Sequence, residues 1–288
     1  MGPGGREGAR ARQPGGFTSI ELLLGVALVS LAIAATSGMF VAGKGHMVMK
    51  GREIETTQAA RSALDVMVRD LRLGGACLPV TGEFISLEGV NNGSQDEIIV
   101  RTGLTRPDLS CIRTASTAEV TTTDSVIVVE SSEGFSAGMR AYLRHPNGSG
   151  EYFTVGAIPS PTSIGIVGTR TIAYPPTSGV YAIDQRRFFL TTVERKGETV
   201  PQLMIQTGSD EPTSFAVGIE ELNVRYELRA NCDPDCDVIE LPADNAEWQT
   251  VEQVLIDLTA RSDLAGPGGE YFRRAIQVGV KPRNILPR

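Results

Sequence analysis

Four cysteines, two histidines and one acidic run are the groups in this 288-residue chain best equipped for redox, acid–base or metal chemistry. The cysteines are Cys77, Cys111, Cys232 and Cys236. An even count favours disulfides where the compartment is oxidising, and four cysteines allow three connectivities. Cys232–Cys236 would close a tight loop around Asp233-Pro234-Asp235, which leaves Cys77–Cys111 to tie a helix end to the first strands. A zinc site is the alternative. Cys232 and Cys236 have acceptable knuckle spacing, but Cys77 and Cys111 form no matching second pair. Asn231, Asp233, Asp235 and Asp237 place oxygen side chains at alternate positions, as a calcium loop does. The glycine turn and distal glutamate of an EF-hand are missing, so a solvated acidic turn is the simpler reading and no metal is expected.

The chain carries no G-x-x-x-x-G-K-[ST] and no H-E-x-x-H pattern, and its one G-x-S-x-G match, Gly134-Phe-Ser-Ala-Gly138, reads as a glycine-bounded turn between strands. His46 follows a long apolar run and His145 precedes a Pro-Asn-Gly turn, both surface settings. Glu220 and Glu221 are neighbours in an alternating segment, so as strand residues they point to opposite faces and cannot act as a carboxylate pair. With no general base, no serine or threonine stands out as a nucleophile. The chain is therefore expected to be neither an enzyme nor a cofactor binder. Its formal net charge of −7 and pI near 5.1 make it a poor partner for a phosphate backbone, so no nucleic acid is expected. The small basic end formed by Arg273, Arg274, Lys281, Arg283 and Arg288 suits a salt-linked partner contact or a solvated tail better than DNA.

One carboxylate stands apart. From Phe17 to Gly43 the only charged side chain is Glu21. As a helix this stretch would extend about 40 Å at ~1.5 Å per residue, more than the ~30 Å hydrocarbon core of a bilayer. A basic head with Arg6, Arg10 and Arg12 precedes it, the layout of an export or membrane-targeting segment. A secretory signal cut after Ala32-Ile33-Ala34 would discard Glu21 and leave no anchor, and a plain anchor has no use for it. A carboxylate in an apolar helix costs roughly 2.5–3.5 kcal/mol at the bilayer centre and less near the interface, so something must compensate it.

Gly16-Phe17-Thr18-Ser19-Ile20-Glu21 followed by the apolar run resembles the class III signal of type IV pilins and pseudopilins. The resemblance implies cleavage by prepilin peptidase between Gly16 and Phe17 and N-methylation of Phe17. The apolar stretch is then kept, first as an inner-membrane anchor and later as filament core. It also implies that Glu21 pairs with the Phe17 ammonium of a neighbouring subunit. Two unit charges ~4 Å apart attract by about 4 kcal/mol at an effective dielectric near 20, enough to offset burial of the carboxylate. The leader arginines favour a cytoplasmic amino terminus, with the remainder in the periplasm.

The segments that must carry these groups follow from periodicity. Ala60, Ala63, Leu64, Met67, Val68 and Leu71 recur at helical spacing, with Arg61, Asp65, Arg69 and Arg72 elsewhere on the wheel, and Gly74-Gly75 ends the helix. Its apolar face needs a cover, and a sheet is the obvious one. Strand signals fill the rest: Glu97–Thr102, Ser125–Glu130, Met139–Arg144, Glu151–Ile158, Ser163–Val167, Val180–Leu190, Gln202–Thr207, Ile219–Leu228, Val251–Arg261 and Arg274–Val280. The expected fold is α+β, a long amino-terminal helix packed on an antiparallel sheet. Residues 1–16 form the leader, 17–43 the membrane and filament-core helix, and 44–75 the amphipathic helix. Residues 76–117 and 179–288 form the sheet domain. Residues 118–178 read as an inserted small β subdomain, with one continuous elaborated sheet as the alternative.

Arg61-Ser-Ala-Leu64, Asp96-Glu-Ile-Ile-Val-Arg101, Gly218-Ile-Glu-Glu-Leu-Asn-Val-Arg-Tyr226 and the Trp248 to Ser262 segment are similar to PilW-like minor pilins. That resemblance implies a non-catalytic subunit of a type IV pilus, serving adhesion and motility, placed with other pilin and minor pilin subunits and a large tip adhesin in a priming complex. GspJ-type pseudopilins of type II secretion share much of the pattern and are the alternative; a secreted enzyme with a conventional signal is the remaining one.

Overall fold

The structure, a computed structural model, describes residues 18–195, 197–229, 237–265 and 269–284. One helix, α1, runs from Ser19 to Leu73, and the chain divides into two compact units at Gly51 and Arg52. Within the first unit, Ser19–Phe40 is a 22-residue apolar stretch long enough to cross a membrane, with none of it buried in the protein. Two of its hydroxyls are satisfied within the helix. Ser30 Oγ donates to Val26 O at 2.7 Å and Thr36 Oγ1 to Ala32 O at 2.9 Å, so neither hydroxyl needs water.

In the second unit the outer half of α1 meets its cover. Ala60, Ala63, Leu64, Met67 and Leu71 are buried in the main core, while Arg61, Asp65, Arg69 and Arg72 are exposed. The 3.6-residue period thus buries the face that the sequence marks, at roughly 1.5–3 kcal/mol for each large side chain. The helix stops because Gly75 takes a φ of 78° and donates its N–H to Arg101 O at 2.9 Å. A Cβ at that position would lie 2.6 Å from Asn284 O.

The sheet domain holds two antiparallel sheets where the sequence suggests one. The strands are β1 (Leu87–Val90), β2 (Glu97–Gly103), β3 (Arg113–Ala115), β4 (Val126–Val128), β5 (Arg140–Arg144), β6 (Gly150–Val155), β7 (Ser163–Val167), β8 (Gly179–Arg195), β9 (Glu198–Thr207), β10 (Thr213–Val217), β11 (Ile219–Leu228), β12 (Val238–Ile239), β13 (Val251–Arg261) and β14 (Arg273–Val280). A short helix, α2, spans Asn245–Trp248, with Asp244 capping it through the Ala246 and Glu247 N–H groups. The larger sheet is organised on β8. Along one side β8 pairs with β3 and β2, along the other with β5 and β9, and β5-β6-β7-β4 continue outward. The smaller sheet has the order β12-β11-β13-β14. Residues 118–178 thus join the large sheet through β5 and β8. They also surround a separate core that includes Val120, Ile127, Phe153, Ile164 and Tyr174 and shares Val180 and Ala182 with β8.

The two sheets are clasped at Asp96. Its N–H donates to Leu222 O at 2.8 Å, its Oδ2 accepts from Val224 N–H at 2.8 Å, and its Oδ1 accepts from Asn92 N–H at 2.7 Å. The carboxylate of this residue, 2% exposed, is tolerable because a backbone N–H donates to each of its oxygens. At the other end of the same segment, Arg101 donates to Gln185 Oε1 at 3.0 Å and Ile85 O at 3.3 Å and pairs with Glu88.

Candidate functional site

Glu21 lies in the first turn of α1, and its partners in the folded chain are local. Thr18 N–H donates to Glu21 Oε2 at 3.4 Å, Thr18 Oγ1 donates to the same oxygen at 3.3 Å, and Glu21 N–H donates to Thr18 Oγ1 at 3.3 Å. This is a reciprocal capping box. Thr18-x-x-Glu21 matches the pattern that such boxes require, a signal explicit in the sequence beside the charge of Glu21. The box compensates the carboxylate by on the order of 1 kcal/mol, as caps go. Gly16 and Phe17 lie outside the described residues.

Cys77 and Cys111 form a disulfide, with their Cα atoms 5.5 Å apart. It ties the turn after α1 to the segment before β3. Two local features make the approach possible. Cys77 takes a φ of 61°, and Gly103 leaves the space that a Cβ would occupy 2.6 Å from the Cys77 Cβ. Cys232, Cys236 and the acidic run from Asn231 to Asp235 lie outside the described residues. Among the described residues no group of three His, Cys, Asp or Glu side chains is placed to hold a metal ion.

Two other residues with acid–base potential have structural partners. His145 Nδ1 accepts from Asn147 N–H at 3.0 Å and so closes a turn. Glu220 is gripped by Arg273, whose Nε and second nitrogen donate at 2.7 and 3.1 Å; that bond, against a smaller cost of burial, holds the Glu220 carboxyl below its ordinary range. Glu221 is exposed. The two glutamates therefore do not act on one centre.

A polar cleft of about 390 Å³ is lined by Arg140, Tyr152, Asp184, Gln185, Thr207 and Asp210. The Arg140 guanidinium stands 4.9 Å from the Tyr152 ring centroid, and its buried Nε has no hydrogen-bond partner. Burial pushes its pKa down, and the neighbouring Arg101 charge adds to that. Neither a scan of family models nor a search of curated proteins finds a match to this chain.

Proposed function

We propose that this chain is a minor pilin, a structural subunit of a type IV pilus. In this reading prepilin peptidase removes residues 1–16 and Phe17 becomes the methylated amino terminus. The apolar part of α1 anchors the chain in the inner membrane and then packs among the helices of other pilin and minor pilin subunits. The β domain faces the periplasm and later the outside of the filament, with a large tip adhesin as a further partner.

The observation that supports the reading is the position of Glu21, the one charged side chain in a membrane-length apolar helix, held in the first turn by Thr18. The capping box is a holding arrangement. Its loss costs on the order of 1 kcal/mol, whereas an ammonium ~4 Å away offers about 4 kcal/mol at an effective dielectric near 20, so the charge pair wins once a neighbour supplies it. Glutamine separates the two roles, because it can complete the capping box but carries no charge. Glu21→Gln and Glu21→Ala should both be processed normally, and both should fall about tenfold or more in sheared filaments. Incorporation of Glu21→Gln at the wild-type level, with only Glu21→Ala impaired, would remove charge pairing and leave a cap alone.

A further inference from the structure

The smaller sheet ends in an edge unlike the others. β12 has two residues, β4 three and β1 four, and β10 carries a register shift between Ser214 and Ala216. Short or bulged edges of this kind resist pairing with another chain. β14 has neither protection. It pairs with β13 over eight consecutive positions from Arg273 to Val280 without a shift, and no described backbone group from elsewhere bonds its outer side. Alternate residues of such a strand turn their N–H and C=O groups outward, so about four donors and four acceptors face solvent along it.

The side chains restrict what can pair there. Ile276 and Val278 are only partly buried against the main core, and Val280 belongs to that core, so one face of an added strand would extend the apolar surface. Gln277 and Gly279 occupy the opposite, exposed face, and the stretch from Ala275 to Val280 carries no charge. Both ends are basic. Arg274 is exposed and makes no ion pair among the described residues, while Lys281 and Arg283 are exposed just past the strand. Arg273 and Lys281 are already paired with Glu220 and Glu252, so the end charges without an ion pair among the described residues are Arg274 and Arg283, and in-register parallel self-pairing would stack Arg274 on Arg274. Like charges directly across a strand pair are destabilising, so Arg274 selects against parallel self-pairing, while Arg274 and Arg283 favour an acidic partner at either end.

We infer that β14 is a β-augmentation site for an extended segment of a different protein, with apolar residues at alternate positions and acidic residues at its ends. The inference goes beyond the pilin proposal and stands independently of it. The probe is a nine-residue peptide with alternating valine and threonine between two acidic residues at each end. Full-length protein in detergent is followed by amide hydrogen exchange at low salt. The peptide at about 1 mM should slow exchange across residues 273–280 at least fivefold, and Arg274→Glu should weaken this binding about tenfold. The same peptide with lysine ends, or methylated at every backbone nitrogen, should not protect the strand. Equal protection by either control would overturn the inference, as would no protection by the acidic peptide. Protection of residues 273–280 in a dimer without peptide would overturn it in favour of self-pairing.

Discussion

The joint between α1 and the large sheet offers a test in which the structure fixes not only a cost but an order of costs. Asp70, on α1, is 5% exposed, and its Oδ2 accepts from Arg186 of β8 at 2.8 Å. Arg186 also reaches Asp184 Oδ2 at 3.3 Å, whereas the other neighbour of Asp70 is Arg69, at 3.5 Å on a side chain 64% exposed. Burial pushes the Arg186 pKa down, but the bonds and charges of Asp70 and Asp184 outweigh it, so the guanidinium is held above its usual value. Breaking a buried pair from one side costs about 3–5 kcal/mol when the survivor is left without compensation. Arg186→Gln leaves the Asp70 carboxylate buried with only a solvated arginine nearby, so about 3–4 kcal/mol is expected. Asp70→Asn leaves Arg186 partly solvated and still paired with Asp184, so about 1–2 kcal/mol is expected. Urea unfolding of the protein in detergent reads both. Trp248 is the only tryptophan and is 7% exposed within the main core, so its fluorescence reports the helix–sheet unit. Equal costs, or a larger cost for Asp70→Asn, would refute the claim that Asp184 supports Arg186 and that Asp70 has no comparable substitute.

Two further outcomes follow from the same domain. The Cys77–Cys111 bridge spans a sequence separation of 34, for which loop-closure entropy predicts about 4 kcal/mol, so Cys77→Ser with Cys111→Ser should lower Tm by roughly 10 °C in a scan of the full chain. Gly89 lies against the Tyr226 hydroxyl and the Trp248 ring, and those two rings stack edge-on at 4.9 Å. Gly89→Ala forces an overlap there that should cost about 1–3 kcal/mol and shift Trp248 emission, while unchanged stability and emission would mean that the contact relaxes freely.

What the sequence discloses is local order. The helix face formed by Ala60, Ala63, Leu64, Met67 and Leu71, and its end at Gly74-Gly75, follow from periodicity and from the left-handed turn that glycine permits. The strands Ser163–Val167, Ile219–Leu228 and Val251–Arg261 alternate strongly enough to give their own boundaries. By contrast, Leu87–Val90 and Arg113–Ala115 carry little alternation and are strands because β2 and β8 lie beside them. β8 runs on to Arg195, past the apolar limit at Leu190, because Thr191–Arg195 pairs with β9 in a hairpin. The joining of the two sheets rests on Asp96 reaching Leu222 and Val224, over a hundred residues away, and no window of sequence encodes that contact. Thr18 is the reverse case, because its threonine-x-x-glutamate spacing spells the capping box outright and Glu21 serves it whatever else its charge does.

The proposed function is tested most directly at the amino terminus. The chain should be expressed in a host with an active prepilin peptidase, recovered from membranes and sheared filaments, and its first residue identified by mass spectrometry. The proposal predicts a chain that begins at Phe17, N-methylated, with the apolar stretch retained through Phe40. A chain that begins at Ala35 or close by, free of the membrane, would contradict it.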